Sequence, residues 1–362
     1  MEELNNELQT EEIQETVLPE ENYEAPAVEE DEPHDKNVKL MSPTRMVVRR
    51  FFRSKLSIVG LIMVIGLFLF SFLGPVVYNR WGEIELDRSG KMDYAASNVT
   101  FTGENGVTYE LVQVAETEKQ DNYLTGVSRD HPLGTDQQGY DVLVRLMYGG
   151  RISLIVSFLA VFLITILGVI LGGIAGYFGG WIDNVIMRLC DVLMCLPGVP
   201  ILLIIYTILD AAGVDPQYRI YLLMIYLTFI SWPGTARLVR GQILSLREQE
   251  YMVAAEAMGY STGRKIFKHL VPNVMPQLIV QMSLSLGSMI LYEATLSYLG
   301  LGVQLPYAAW GTMINVISQN PTYISAYPLI WVPAGVCIVI AVLGFNFVGD
   351  GLRDALDPKA RR

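Results

Sequence analysis

The stretch "ISLIVSFLAVFLITILGVILGGIAGYFGGW", Ile152–Trp181, runs for 30 residues without one charged side chain. A helix needs about 20 predominantly apolar residues to cross the hydrocarbon core of a bilayer, so this run predicts a membrane span with residues to spare. Gly168, Gly172 and Gly176 within it keep a four-residue spacing that lets a second helix approach closely, and packing is their expected role. Leu56–Val77 is equally free of charge, and Val192–Leu209, Ile220–Ala236, Asn273–Tyr292 and Ala326–Gly349 complete a set of six candidate spans. Pro197 and Pro200 in the third, and Pro233 in the fourth, are expected to kink or interrupt their helices. The composition agrees: 51% hydrophobic and 17% charged residues leave too little charge for an ordinary water-soluble domain.

The net charge of −11 is concentrated in one place. Residues 1–35 carry 14 acidic groups and no Lys or Arg, so the remainder of the chain is net positive. Such a head cannot bury enough apolar surface to fold alone, and lacks the basic start and apolar centre of a signal peptide. Residues 1–42 are therefore read as a disordered acidic cytoplasmic tail. Lys and Arg near span ends orient the rest. Arg45, Arg49, Arg50, Arg53 and Lys55 precede the first span and place the N-terminus inside. Six spans return the cluster Arg237, Arg240, Arg247, Arg264, Lys265 and Lys268 to the inside, together with the C-terminal tail 350–362. Residues 43–78 then hold an amphipathic segment and the first span, 79–130 an outer insertion, and 131–349 a five-helix core. Within the insertion, "NVTFTGENGVTYELVQV", Asn98–Val114, alternates β-formers about Asn105-Gly106, a hairpin signal.

Between the fourth and fifth spans lies a stretch built for water, "EYMVAAEAMGYSTGRKIFKHLVPN", Glu250–Asn273. Glu250–Met258 consists of helix formers, with Ala254, Ala255 and Ala257 giving a narrow surface. Gly259 suits the left-handed position after a helix, and Ser261 or Thr262 can cap the next one. In that second helix Ile266, Phe267, Leu270 and Val271 are expected to share an apolar face, with Arg264, Lys265 and Lys268 facing away and Pro272 closing it. Two short helices rigidly joined to a span can carry a push from a soluble partner into the membrane.

The fifth span carries a polar stripe: Gln277, Gln281, Ser285, Ser288 and Tyr292 recur on one helical face. Such a stripe either lines a water-filled path or bonds neighbouring helices, and two glutamines in one stripe favour the path. Glu293 lies about 30 Å along the helix from Pro272, near the outer face, as a gate or as a boundary residue. Enzyme and metal signatures are missing. Cys190, Cys195, Cys337, His34, His131 and His269 show no ligand spacing, and "GYSTGRK" fails as a phosphate loop because Ile266 stands where Ser or Thr belongs.

Glu250–Asn273 resembles the EAA loop of ABC importer permeases through Ala254, Ala255, Gly259 and Pro272, although Val253 replaces the eponymous glutamate and His269 an aliphatic residue. "HPLGTDQQGYDVLVRLMYGGRISL", His131–Leu154, is similar to the signature before the second span in C-type permeases of oligopeptide, dipeptide and nickel importers. Tyr140 and Gly150 depart there from the commoner Arg and Ala. "RRFFRSKLSIVGL", "GYFGGWIDNVIMRLCDVLMCLPG", "FISWPGTARLVRGQ" and "EATLSYLGLG" extend the likeness. The resemblance, over roughly residues 43–78 and 131–357, implies an all-α polytopic membrane protein of six transmembrane helices, with a type I ABC importer permease core and cytoplasmic coupling helices; the hairpin signal adds a small extracellular β-containing insertion. The resemblance implies a coupling loop at 249–272 with Ala254, Ala255, Glu256, Gly259, Ile266, Phe267 and Pro272 meeting the ATPase; the candidate path along Gln277, Gln281, Ser285, Ser288 and Glu293 is read from the fifth span's own pattern. It also implies a heterodimer with a second homologous permease in a bacterial plasma membrane, two ATP-binding subunits and an extracellular or periplasmic substrate-binding protein. ATP and Mg would then sit on partner subunits, with no catalytic group, metal or cofactor on this chain and no role for nucleic acid. A channel or sensor would explain the spans but not the hairpin; an intramembrane enzyme lacks paired catalytic groups.

Overall fold

The computed structural model describes residues 43–87, 94–116 and 122–357; the acidic head and the last five residues of the C-terminal tail lie outside it. A short basic helix α1, Pro43–Phe51, leads into the first span α2, Lys55–Val77, which widens into a π turn at Leu69–Leu73. The strands β1, Tyr94–Thr102, and β2, Thr108–Glu116, pair antiparallel in register Thr102↔Thr108. The expected hairpin is present, and Gly106 at φ +75° takes the left-handed position in the five-residue loop Gly103–Val107.

The second span α3, Val142–Phe178, is 37 residues long, or about 55 Å at helical rise, so it outreaches a bilayer core. Asp141 caps it, accepting from Val144 N at 2.8 Å, and Gly179 and Gly180, both at positive φ, end it. The third span breaks where a proline was expected to kink or interrupt it. It is not one rod over Val192–Leu209 but α4, Gly180–Cys195, and α5, Gly198–Ala211, bent by 79° at Leu196-Pro197. Pro197 supplies the reason, since it has no N–H to continue the ladder. Helix α6, Pro216–Leu246, in contrast continues through Pro233 without interruption.

After the hairpin helix α7, Glu250–Ala257, comes a second correction. Pro272 closes nothing: the second short helix and the fifth span form one continuous element α8, Thr262–Tyr298. A π turn at Lys265–Leu270 precedes Pro272, and its wider spacing makes room for a ring that an unbroken α-helix would refuse. Helices α9, Trp310–Gln319, and α10, Tyr323–Ala326, lead to α11, Pro328–Leu356, which continues past Gly349 into the expected tail.

Glycines decide the crossings. A Cβ on Gly172 would lie 2.3 Å from the Ala236 carbonyl oxygen, and one on Gly168 or Gly176 would lie 2.6 Å from Thr235 or 3.0 Å from Ile243, so the α3 stripe packs on α6. Gly60 and Gly344 do the same for α2 and α11. Asp183 on α4 grips Arg240 on α6 by a two-pronged ion pair, one arm 2.5 Å long. The side chains facing away are apolar: Phe162, Phe229, Leu291 and Val339 are each more than half exposed. In water that surface would aggregate; in lipid it is solvated.

Candidate translocation cleft and coupling hairpin

The hairpin folds onto the coupling end of the bundle. Met252 and Ala255 of α7 are buried, and Met252 joins Ile266, Leu270, Val239, Ile243 and Val274 in one apolar cluster. Gly259 takes φ +70° and closes α7, its N–H reaching Glu256 O at 2.9 Å. Ser261 occupies the cap position without a side-chain cap bond. The expected apolar face splits: Ile266 and Leu270 point inward, whereas Phe267 is 64% exposed. Lys265, expected outside, is buried instead, its ammonium 3.8 Å from Glu256 and 5.7 Å from the Tyr177 ring centre. Both differences follow from the π turn, which shifts the angular position of every side chain after Arg264. Ala254, Ala257, Val253, Met258 and Phe267 make an exposed apolar surface on the hairpin's outer side. The reading of the sequence missed a brace there: Arg264 lies 4.2 Å over Tyr260, which stacks on His269 at 5.6 Å.

Gln281, Ser285, Ser288 and Tyr292 line one wall of a cleft of about 340 Å³. Thr165 of α3 and Tyr226, Ser231 and Thr235 of α6 face them, with Gly198 at the start of α5. Gln277 is exposed one turn nearer the coupling end and does not line the cleft. Leu278, Met282 and Met289 share the cleft, so its lining is mixed. The Gln281 amide donates to Ser285 on its own helix, at 3.4 Å.

Glu293 is set apart from the other stripe residues. It is fully buried, its Oε1 accepts from Ser297 Oγ at 2.7 Å, and Ser153 of α3 lies within hydrogen-bonding reach of the carboxyl. Ser297 in turn packs against Gly302 and Gly311, so this carboxyl lies among α8, α9 and the loop joining them. Neither an open gate nor a boundary residue fits that burial.

The motif His131–Leu154 folds as a cap on the start of α3. His131 is buried with Nδ1 2.8 Å from Asp141 and Nε2 3.1 Å from Asp87, and stacks on Trp81. Asp136 accepts from Gln138 N and Tyr140 N and pairs with Arg145 Nε at 3.2 Å. Burial pushes the Asp136 carboxyl up from its ordinary pKa, against the pull of Arg145 and of those N–H groups. Burial, with Asp141 adding to it, raises the Tyr78 phenol to about 12. Both departures from the usual motif have a place: Tyr140 lies under the Arg145 guanidinium, 4.8 Å away, and a Cβ on Gly150 would strike the Trp310 ring at 2.6 Å.

Residues 168–362 match the family described as binding-protein-dependent transport system inner membrane component, and residues 42–95 match the N-terminal TM domain of oligopeptide transport permease C. The chain is 35% identical to the oligopeptide transport system permease protein OppC of Bacillus subtilis, over 95% of this chain and 99% of that one. It is also 35% identical to the dipeptide transport system permease protein DppC of Alkalihalophilus pseudofirmus, over 91% and 94%. OppC of Escherichia coli is 46% identical over 64% of this chain and 73% of its own length. A multi-pass membrane bundle with a helical hairpin at one end agrees with these matches, and the chain belongs to the binding-protein-dependent transport system inner membrane component family.

Proposed function

We propose that this chain is one transmembrane half of an ATP-driven importer of peptides, alternating between inward-open and outward-open states. The observation that carries the reading is continuity. Helix α8 is continuous from Thr262, in the second arm of the hairpin, through Gln281, Ser285, Ser288 and Tyr292, so a push on residues 262–272 moves a wall of the cleft. Val253, Met258 and Phe267 offer an apolar surface to a groove on an ATP-binding subunit. In this reading Ala254, Ala255, Glu256, Gly259, Ile266 and Pro272 shape the coupling element. Gln281, Ser285 and Ser288 touch the substrate, and Gln277 and Glu293 stand outside the cleft.

The assembly is a heterodimer with a second, homologous permease, two ATP-binding subunits holding ATP and Mg, and an extracellular or periplasmic binding protein that delivers the peptide. The chain itself binds no cofactor, metal or nucleic acid. It spans a bacterial plasma membrane with N- and C-termini cytoplasmic, because its basic clusters then face inward. Oligopeptides are the favoured substrate, with dipeptides next, in line with the names of the two relatives aligned along most of the chain. The test is affinity purification of the tagged chain from its own membranes followed by reconstitution. An ATPase and a second permease should co-purify, and ATP should drive peptide uptake. A chain that purifies alone and passes solute without ATP would replace this reading with a channel.

A further inference from the structure

Neither the cleft nor the hairpin uses the basic surface at the start of the bundle. Helix α1 and the turn after it carry Arg45, Arg49, Arg50, Arg53 and Lys55. One side of α1 is held by the bundle: Phe51 is buried against Gly351 of α11, and Arg50 donates to Asp357 O at 3.3 Å. The rest of the surface is bare. Val48, Phe52 and Leu56 are each more than half exposed. Arg49, Arg53 and Lys55 are exposed beside them, and none of these three is in an ion pair among the described residues. Exposed apolar and basic side chains thus come in adjoining pairs, Val48-Arg49, Phe52-Arg53 and Lys55-Leu56. Water suits only the basic half of each pair and hydrocarbon only the apolar half, whereas a bilayer boundary suits both. Bases clustered just before a span on its cytoplasmic side attract anionic headgroups, and guanidinium groups grip phosphate by two parallel bonds. We infer that α1 and the turn into α2 form a binding surface for anionic phospholipid. Val48, Phe52 and Leu56 lie among acyl chains, and Arg49, Arg53 and Lys55 meet headgroup phosphates. The acidic residues 1–35 carry the charge to compete for these bases, but have few large apolar side chains to cover the apolar half.

The inference rests on the membrane orientation proposed above, but on neither ATP nor peptide. The full-length protein, purified with the subunits that accompany it, is placed in phosphatidylcholine vesicles. These contain a trace of photoactivatable phosphatidylglycerol or of photoactivatable phosphatidylcholine with the same acyl chains, and labelled sites are mapped by mass spectrometry. Labelling of residues 46–56 by phosphatidylglycerol should exceed that by phosphatidylcholine at least about fivefold, the preference expected from one base near an anionic surface. The ratio should fall towards one in about 1 M salt, where charges are screened beyond about 3 Å. Replacing Arg49, Arg53 and Lys55 together by Gln should also abolish it, while Arg49→Lys with Arg53→Lys should keep most of it. Arg53→Gln alone serves if the triple variant does not assemble, and should roughly halve the ratio. Equal labelling by the two lipids, or a ratio that no charge-removing variant lowers, would overturn the inference. So would displacement of the lipid by excess inorganic phosphate at matched ionic strength, which would assign the bases to a soluble anion. A carbodiimide crosslink from Lys55 to residues 1–35, with lipid labelling absent, would assign the surface to the acidic head instead. A protein that shows the lipid preference yet moves no peptide with ATP would overturn the importer reading and leave this inference standing.

Discussion

At Gly259 a Cβ would meet nothing within 4 Å, so space does not demand a glycine there; the backbone does, at φ +70°. A β-branched side chain in that conformation costs roughly 1 kcal/mol or more, and the chain relieves it by reorienting α7 against α8. Asn tolerates the left-handed region better than other non-glycine residues. Gly259→Val should leave the protein in the membrane but lower peptide uptake per ATP hydrolysed, whereas Gly259→Asn should retain most coupling. Parallel uptake and phosphate-release assays read this directly, and undiminished coupling with Val would refute the turn's role. Glu293 makes the opposite case, a residue held by its surroundings. Removing its side chain leaves a cavity and strands the Ser297 hydroxyl, at a cost of about 3 kcal/mol. Glu293→Ala should lower the melting temperature of the detergent-solubilised protein, and Glu293→Gln, which keeps an acceptor for Ser297, should recover most of the loss.

Among the elements, the α3–α6 crossing depends on backbone contact. Gly172→Leu puts a branched side chain where Ala236 O already lies 2.3 Å from the ideal Cβ, so the helices must separate. Overpacking of this kind typically costs about 1–3 kcal/mol, which can exceed half of the ~5 kcal/mol that holds a marginal domain. The expected result is a sharp fall in folded protein in the membrane, seen by quantitative blot after mild detergent extraction. The stripe on α8 should respond differently. Gln281 bonds only within its own helix among the described contacts, so Gln281→Leu should spare assembly and change peptide uptake. Were it bonded across helices, the loss would appear as weaker assembly worth about 0.6 kcal/mol, up to ~2. Measuring complex and uptake on the same vesicles distinguishes the two; reduced complex with normal uptake per complex would remove Gln281 from the path.

For the whole molecule, the cleft of about 340 Å³ is walled by helices of one chain, and its outer neighbours are apolar side chains suited to lipid or to another apolar helix. In the proposed heterodimer, the second permease would close such a half-path. The purified chain alone in liposomes should therefore pass no peptide down a concentration gradient, while the full complex accumulates it on addition of ATP. Gradient-driven leakage through the lone chain would show that it encloses a path by itself.

Charge-free length was enough to place five of the spans, because a bilayer demands it and no local contact can substitute. The Asn105-Gly106 turn and the left-handed Gly259 were also legible, since both are backbone needs that only certain residues meet. The stripe at Gln281, Ser285, Ser288 and Tyr292 followed from helical period alone. Rotation and continuity did not follow from pattern. Whether a proline ends a helix depends on what the preceding turn can do: Pro197 breaks the third span by 79°, while Pro272 is absorbed by a π turn. That turn then sends Phe267 outward and Lys265 inward, which a regular period of 3.6 misassigns. The burial of Glu293 was decided by α9 and its loop, which fold over the end of α8 from beyond it in the chain. Periodicity reports what a helix prefers to show its surroundings, but only tertiary packing determines which surroundings arrive.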